Sequence, residues 1–88
     1  MAELLFEIWG DGDSIGMHQV SEQNDRVRRA VEPNAVLVAS YYASSNFEAF
    51  QKKNDWHGFG PWKPEPEWSE HFFTDDEARE QQEYLRRR

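Results

Sequence analysis

Eighty-eight residues make one small domain, and 13 aromatic side chains (six Phe, four Trp, three Tyr) let it bury large rings where a longer chain would bury many small ones. No cysteine is present, which excludes disulfides, thiolate catalysis and Cys-ligated zinc. Ten basic against 17 acidic side chains give a net charge of −7, the opposite of the basic footprint of a duplex-binding protein.

In chain order, Leu4, Phe6 and Ile8 alternate as the buried side of a first strand over residues 4–9. Gly10-Asp11-Gly12-Asp13 ends it in a turn. A helix is predicted from Ser21, its N-cap, with Val20, Asn24, Val27 and Val31 as its inward stripe and Pro33-Asn34 as its stop. Residues 35–43 are apolar on both faces and read as a strand in the centre of a covered sheet. Ser45 and Glu48 have capping-box spacing for a second helix to about His57. Phe47 and Phe50 are expected inward on it, Lys52, Lys53 and Asp55 are expected in solvent, and Gly58 is the expected stop.

Residues 59–67 contain Gly60, Pro61, Pro64 and Pro66 and cannot stay regular. Residues 68–73 alternate as a short third strand. Thr74 and Glu77 form a second capping box, and the helix they open runs from acids to Arg86-Arg87-Arg88, matching the helix dipole at both ends. Its stripe (Ala78, Gln81 or Gln82, Leu85) is thin, which suits loose packing or docking on a partner. The order strand, helix, strand, helix, short strand, helix implies an α+β or small α/β domain over residues 1–88: a two-layer sandwich of helices on a sheet of two to three strands. The first two strands can pair in parallel through a right-handed crossover, or antiparallel.

The densest chemistry lies in residues 56–68, where Trp56, Phe59, Trp62 and Trp68 are interleaved with His57, Lys63, prolines and glycines. Rigid aromatic area with a polar handle dominates binding hot spots, and proline lowers the entropy lost when a loop docks. The competing reading is a lid of rings closing the domain's own core, and different rings can serve each purpose. His18, His57 and His71 supply imidazoles, the side chain whose unperturbed pKa lies near neutrality, yet no pair has metal-site or catalytic spacing. Asp11-Gly12-Asp13-Ser14 begins like a calcium loop but places Ile15 and Met17 where oxygen ligands belong. No nucleophile elbow or dinucleotide fingerprint occurs. Arg26, Arg28 and Arg29 read as a solvated helix face rather than a phosphate clamp.

Asn24-Asp25-Arg26-Val27-Arg28-Arg29, residues 32–38 and Gly58-Phe59-Gly60-Pro61-Trp62-Lys63-Pro64 resemble segments of a group of short uncharacterised bacterial proteins. The resemblance covers residues 24–64 and implies a bacterial, cytosolic protein, with no catalytic residue to carry over.

The sequence therefore predicts a protein-interaction module, with no catalytic residues, metal or cofactor, that docks a basic protein partner through Trp56, His57, Phe59, Trp62, Lys63 and Trp68. The alternatives are a small-ligand or enzymatic pocket using His57 and His71, and an acidic decoy of nucleic acid. No apolar run is long enough to span a bilayer and no secretory leader pattern opens the chain, so a cytoplasmic location without membrane association is expected.

Overall fold

A computed structural model describes residues 2–88. Among them the elements run β1 (Leu4–Asp11), β2 (Ser14–Gln19), α1 (Glu22–Val31), β3 (Val36–Ala43), α2 (Asn46–His57) and α3 (Asp75–Arg87). The strands form one antiparallel sheet in the order β2-β1-β3. The protein is thus a small α+β domain, as its alternation of elements predicts.

β1 pairs with β2 through a two-residue turn, Asp11 standing opposite Ser14. Gly12 has φ 63° while Asp13 does not go positive, the pattern of a type II′ turn that matches the natural twist of a hairpin. The turn around Gly12 was legible, but the strand after it was not. Ser14–Gln19 holds only Ile15 and Met17 as apolar residues, too few to show an alternating period.

Of the two pairings open to the strands over 4–9 and 35–43, the antiparallel one is adopted, Leu4 opposite Ala43 and Ile8 opposite Ala39. Two expectations about the sheet are corrected. β3 is an edge rather than the centre; β1 has a neighbour on each side. A bulge at Val38 interrupts the register between Ile8 and Trp9. Residues 68–73 contribute only one bridge, Ser45 to Phe72, instead of a third strand. The Phe73 N–H still donates to the Ser44 carbonyl at 2.9 Å, which delivers the Phe73 ring to the core.

The core lies on the Leu4, Phe6 and Ile8 side of β1. Leu4, Phe6, Ala43, Ala49 and Phe73 are buried together, with Met17, Tyr41 and Ala78 packed against them. Phe6 stacks on Tyr41 at 6.2 Å and tilts against Phe73 at 6.1 Å. Ala49 is therefore the inward residue of α2, while Phe50 faces outward and Lys52 and Lys53 are partly covered. Ser45 caps α2 by accepting from Glu48 N–H, but the Glu48 carboxylate returns to Ser44 N–H at 2.7 Å, one residue before the expected position. At α3 the Thr74–Glu77 capping box is complete.

The other side of β1 is polar. Glu7 points there and is buried, its carboxylate accepting from both terminal nitrogens of Arg88 at 2.8 and 2.6 Å. Arg88 also pairs with buried Asp25 of α1, which accepts from the Tyr84 hydroxyl. Arg28 of α1 lies over the Trp9 indole at 3.6 Å. The expected inward stripe of α1 holds at Val20, which is buried, and at half-buried Asn24, and is overturned beyond them: Val27 and Val31 are exposed, and Asp25 and Arg28 are the buried residues of the helix. Ion pairing and cation–π contact orient this helix more strongly than two valines can.

α3 docks where β2 ends. Gln81 is buried and acts as a missing strand residue: its amide accepts from Leu5 N–H at 2.7 Å and donates to the Leu5 and Val20 carbonyls at 3.0 and 2.9 Å. The thin apolar stripe of α3 is compensated by these bonds and by Arg88.

Candidate functional site: aromatic rings on the second helix and its loop

Gly58, with φ 76°, ends α2 in the left-handed conformation. Its N–H bonds the Asp55 carbonyl at 3.2 Å, and Phe59 N–H bonds the Asn54 carbonyl at 2.9 Å. The chain then turns back along α2, held by one side chain. Gln51 accepts from Trp62 N–H at 2.8 Å and donates to the Gly60 carbonyl at 3.3 Å. A proline-rich segment attached in this way has a defined path.

The rings form two groups. Trp62 meets Phe47 edge-on at 5.3 Å, stacks on Phe50 at 5.0 Å, and carries Trp68 outside it at 6.5 Å. His57 lies parallel to Phe59 at 4.5 Å, with Trp56 edge-on at 4.8 Å. Trp62 and His57 are half-buried between their neighbours, whereas Phe59 is 70% exposed, Trp68 53% and Trp56 45%. The rings thus divide: Trp62 closes over Phe47 and Phe50 of α2, outside the buried core, and Phe59, Trp68 and Trp56 face water. Phe50, stacked on Trp62, extends the exposed aromatic area. Lys63, Glu65 and Glu67 are exposed on the same loop, and Glu70 accepts a hydrogen bond from the Ser45 hydroxyl.

The two later histidines serve separate contacts. His57 belongs to the ring stack, while His71 Nε2 lies 2.9 Å from Glu77 Oε1. The hydrogen bond from His71, then those from Thr74, holds the Glu77 carboxyl below its ordinary range. A cavity of about 320 Å³ opens between Val20-Ser21 and α3, bordered by Glu80, Gln81 and Tyr84, and neither imidazole lines it. Among the described residues no cluster of three or more His, Asp or Glu side chains could hold a metal ion.

The sequence reading missed the Glu7–Asp25–Arg88 cluster. Its one local signal is Glu7, a carboxylate between Phe6 and Ile8 in an otherwise apolar strand. Arg88 at the far end of the sequence gave no matching signal. No protein-family model, curated protein or solved structure matches the chain.

Proposed function

We propose that the protein is a non-enzymatic interaction module whose docking surface is the exposed edge of these stacked rings, with Phe59 and Trp68 as its principal contacts and Trp56 beside them. One observation carries the reading: rings 45–70% exposed stand on a segment held in place by Gln51 and by stacking. Large apolar rings held rigidly in water lose little entropy on association and gain much from burial. Glu65, Glu67 and Glu70 lie on the same segment, so the complementary partner is a protein with a basic rim around an apolar contact. Trp62 and His57 support the exposed rings from beneath, and Lys63 marks the border of the surface. A cytoplasmic setting accords with a cysteine-free chain in which no described helix is long and apolar enough to cross a membrane.

Selection from a displayed peptide library tests this reading. The expected winners combine Lys or Arg with one or two bulky apolar residues, shift indole fluorescence on binding, and lose binding to the Phe59→Ala and Trp68→Ala variants. Failure to enrich such peptides, or enrichment insensitive to both substitutions, overturns it.

A further inference from the structure

The outer edge of β3 is open. Leu5 directs both its backbone groups away from β3, its N–H to Gln81 and its carbonyl to Val20 N–H. Its partner Tyr42 is therefore a non-hydrogen-bonded neighbour whose own N–H and carbonyl face outward. Ser40, two residues earlier and opposite Glu7, faces the same way. Over Val36–Ala43 no backbone group of the described residues pairs with that edge, and the Tyr42 carbonyl takes only the Lys52 ammonium at 2.5 Å; the open stretch ends at Ser44, whose carbonyl takes Phe73 N–H. Val36, Leu37, Val38 and Tyr42 are all exposed along it. An edge that is long, apolar and unpaired is a template for another strand.

We infer that this edge pairs with the same edge of a second copy, β3 against β3 antiparallel about a two-fold axis near Ser40, joining two three-stranded sheets into one of six. Charge distribution selects this occupant. Residues 35–46 carry no charged side chain, in a chain that is 31% charged and strongly acidic overall, so two copies meet here without opposing like charges. At the Tyr42 end of the edge Lys52 stands beside its own Glu48, whose carboxylate also accepts from Ser44 N–H, so the charges there are already paired within each copy. A two-fold axis makes such a surface self-complementary.

Sedimentation velocity from about 1 μM to about 1 mM, the range of weak specific association, is expected to show a monomer–dimer equilibrium. Hydrogen exchange at the Ser40 and Tyr42 amides should slow as concentration rises. Ser40→Pro removes an outward N–H and no bond to β1, and should weaken the dimer by at least about tenfold; Val38→Lys should do the same, should the proline variant unfold. A monomer throughout that range, or a dimer indifferent to Ser40→Pro and Val38→Lys in folded protein, overturns the inference. Loss of peptide binding through Phe59 and Trp68 would leave it intact, because β3 lies outside that surface.

Discussion

At the scale of single residues, Arg88 is the most consequential side chain outside the apolar core. It pairs with two carboxylates that are 5% and 3% exposed, Glu7 and Asp25. Removing one partner of a buried pair leaves the other charge uncompensated, an effect of about 3–5 kcal/mol when burial is complete. Arg88 itself keeps a quarter of its side chain in water, so Arg88→Ala is expected to cost about 2–3 kcal/mol, read from urea midpoints at neutral pH. The Arg88 guanidinium, opposed by burial, holds the Glu7 carboxyl below its ordinary range. A lowered folded pKa contributes stability above the unfolded value of about 4.5, and the contribution fades as pH falls through the folded value. Acid titration of stability should therefore show a steep loss below that pH in the wild type, flattened in Arg88→Ala because the contribution is already gone. Tyr41 has the opposite sign. Burial pushes its hydroxyl up to about 12, and the hydroxyl donates to the Ala49 carbonyl at 2.8 Å. Stability tied to it is present below pH 10 and lost as pH rises towards 12. Burial and then the Asp25 carboxylate also push the Tyr84 hydroxyl up, so a phenolate absorbance titration should find two displaced tyrosines, of which the component at about 12 is absent in Tyr41→Phe.

At the scale of elements, polar geometry decides what apolar periodicity leaves open. α1 is amphipathic in sequence, yet its buried residues are Asp25 and Arg28. Val27→Lys and Val31→Lys are accordingly expected to change stability by less than about 0.5 kcal/mol, as surface substitutions do, where an inward stripe would demand several times that. α3 depends on Gln81. Gln81→Leu orphans Leu5 N–H and the Val20 carbonyl and leaves the Leu5 carbonyl with Val20 N–H alone, and a buried orphan costs about 1–3 kcal/mol. Native-state exchange should show α3 amides opening with the substitution while the β1–β3 ladder keeps its protection. Neither requirement has a local signature. The glutamine stands 76 residues from Leu5, and no periodicity within α3 distinguishes it from Gln82.

At the scale of the molecule, a core built on one side of the sheet leaves two kinds of apolar area in water. One is the ring edge on α2 and its loop; the other is β3. Part of that distribution was readable. Residues 56–68 stand out for aromatic, proline and glycine density alone, and the structure assembles Trp56, His57, Phe59, Trp62 and Trp68 there. Which rings support and which are exposed was not readable, because that depends on Gln51 drawing the loop back so that Trp62 covers Phe47 and Phe50. The division predicts distinct phenotypes. Trp62→Ala should lower stability by about 1–2 kcal/mol, less than a fully buried tryptophan would. Phe59→Ala and Trp68→Ala should leave the thermal midpoint nearly unchanged while removing peptide binding.

The amino-acid sequence by itself determined the helix starts at Ser21, Ser45 and Thr74, the stops at Pro33-Asn34 and Gly58, and two of the three strands, since caps, glycine conformation and side-chain alternation act within a few residues. Only the tertiary structure decided that β1 is the central strand, that β3 is left at the edge, that α1 turns its charged side inward, and that α3 lies beside Leu5. Each of these is settled between groups far apart along the chain. A buried carboxylate or an unpaired backbone amide is satisfied by whatever partner the fold brings to it, and local pattern does not encode that partner.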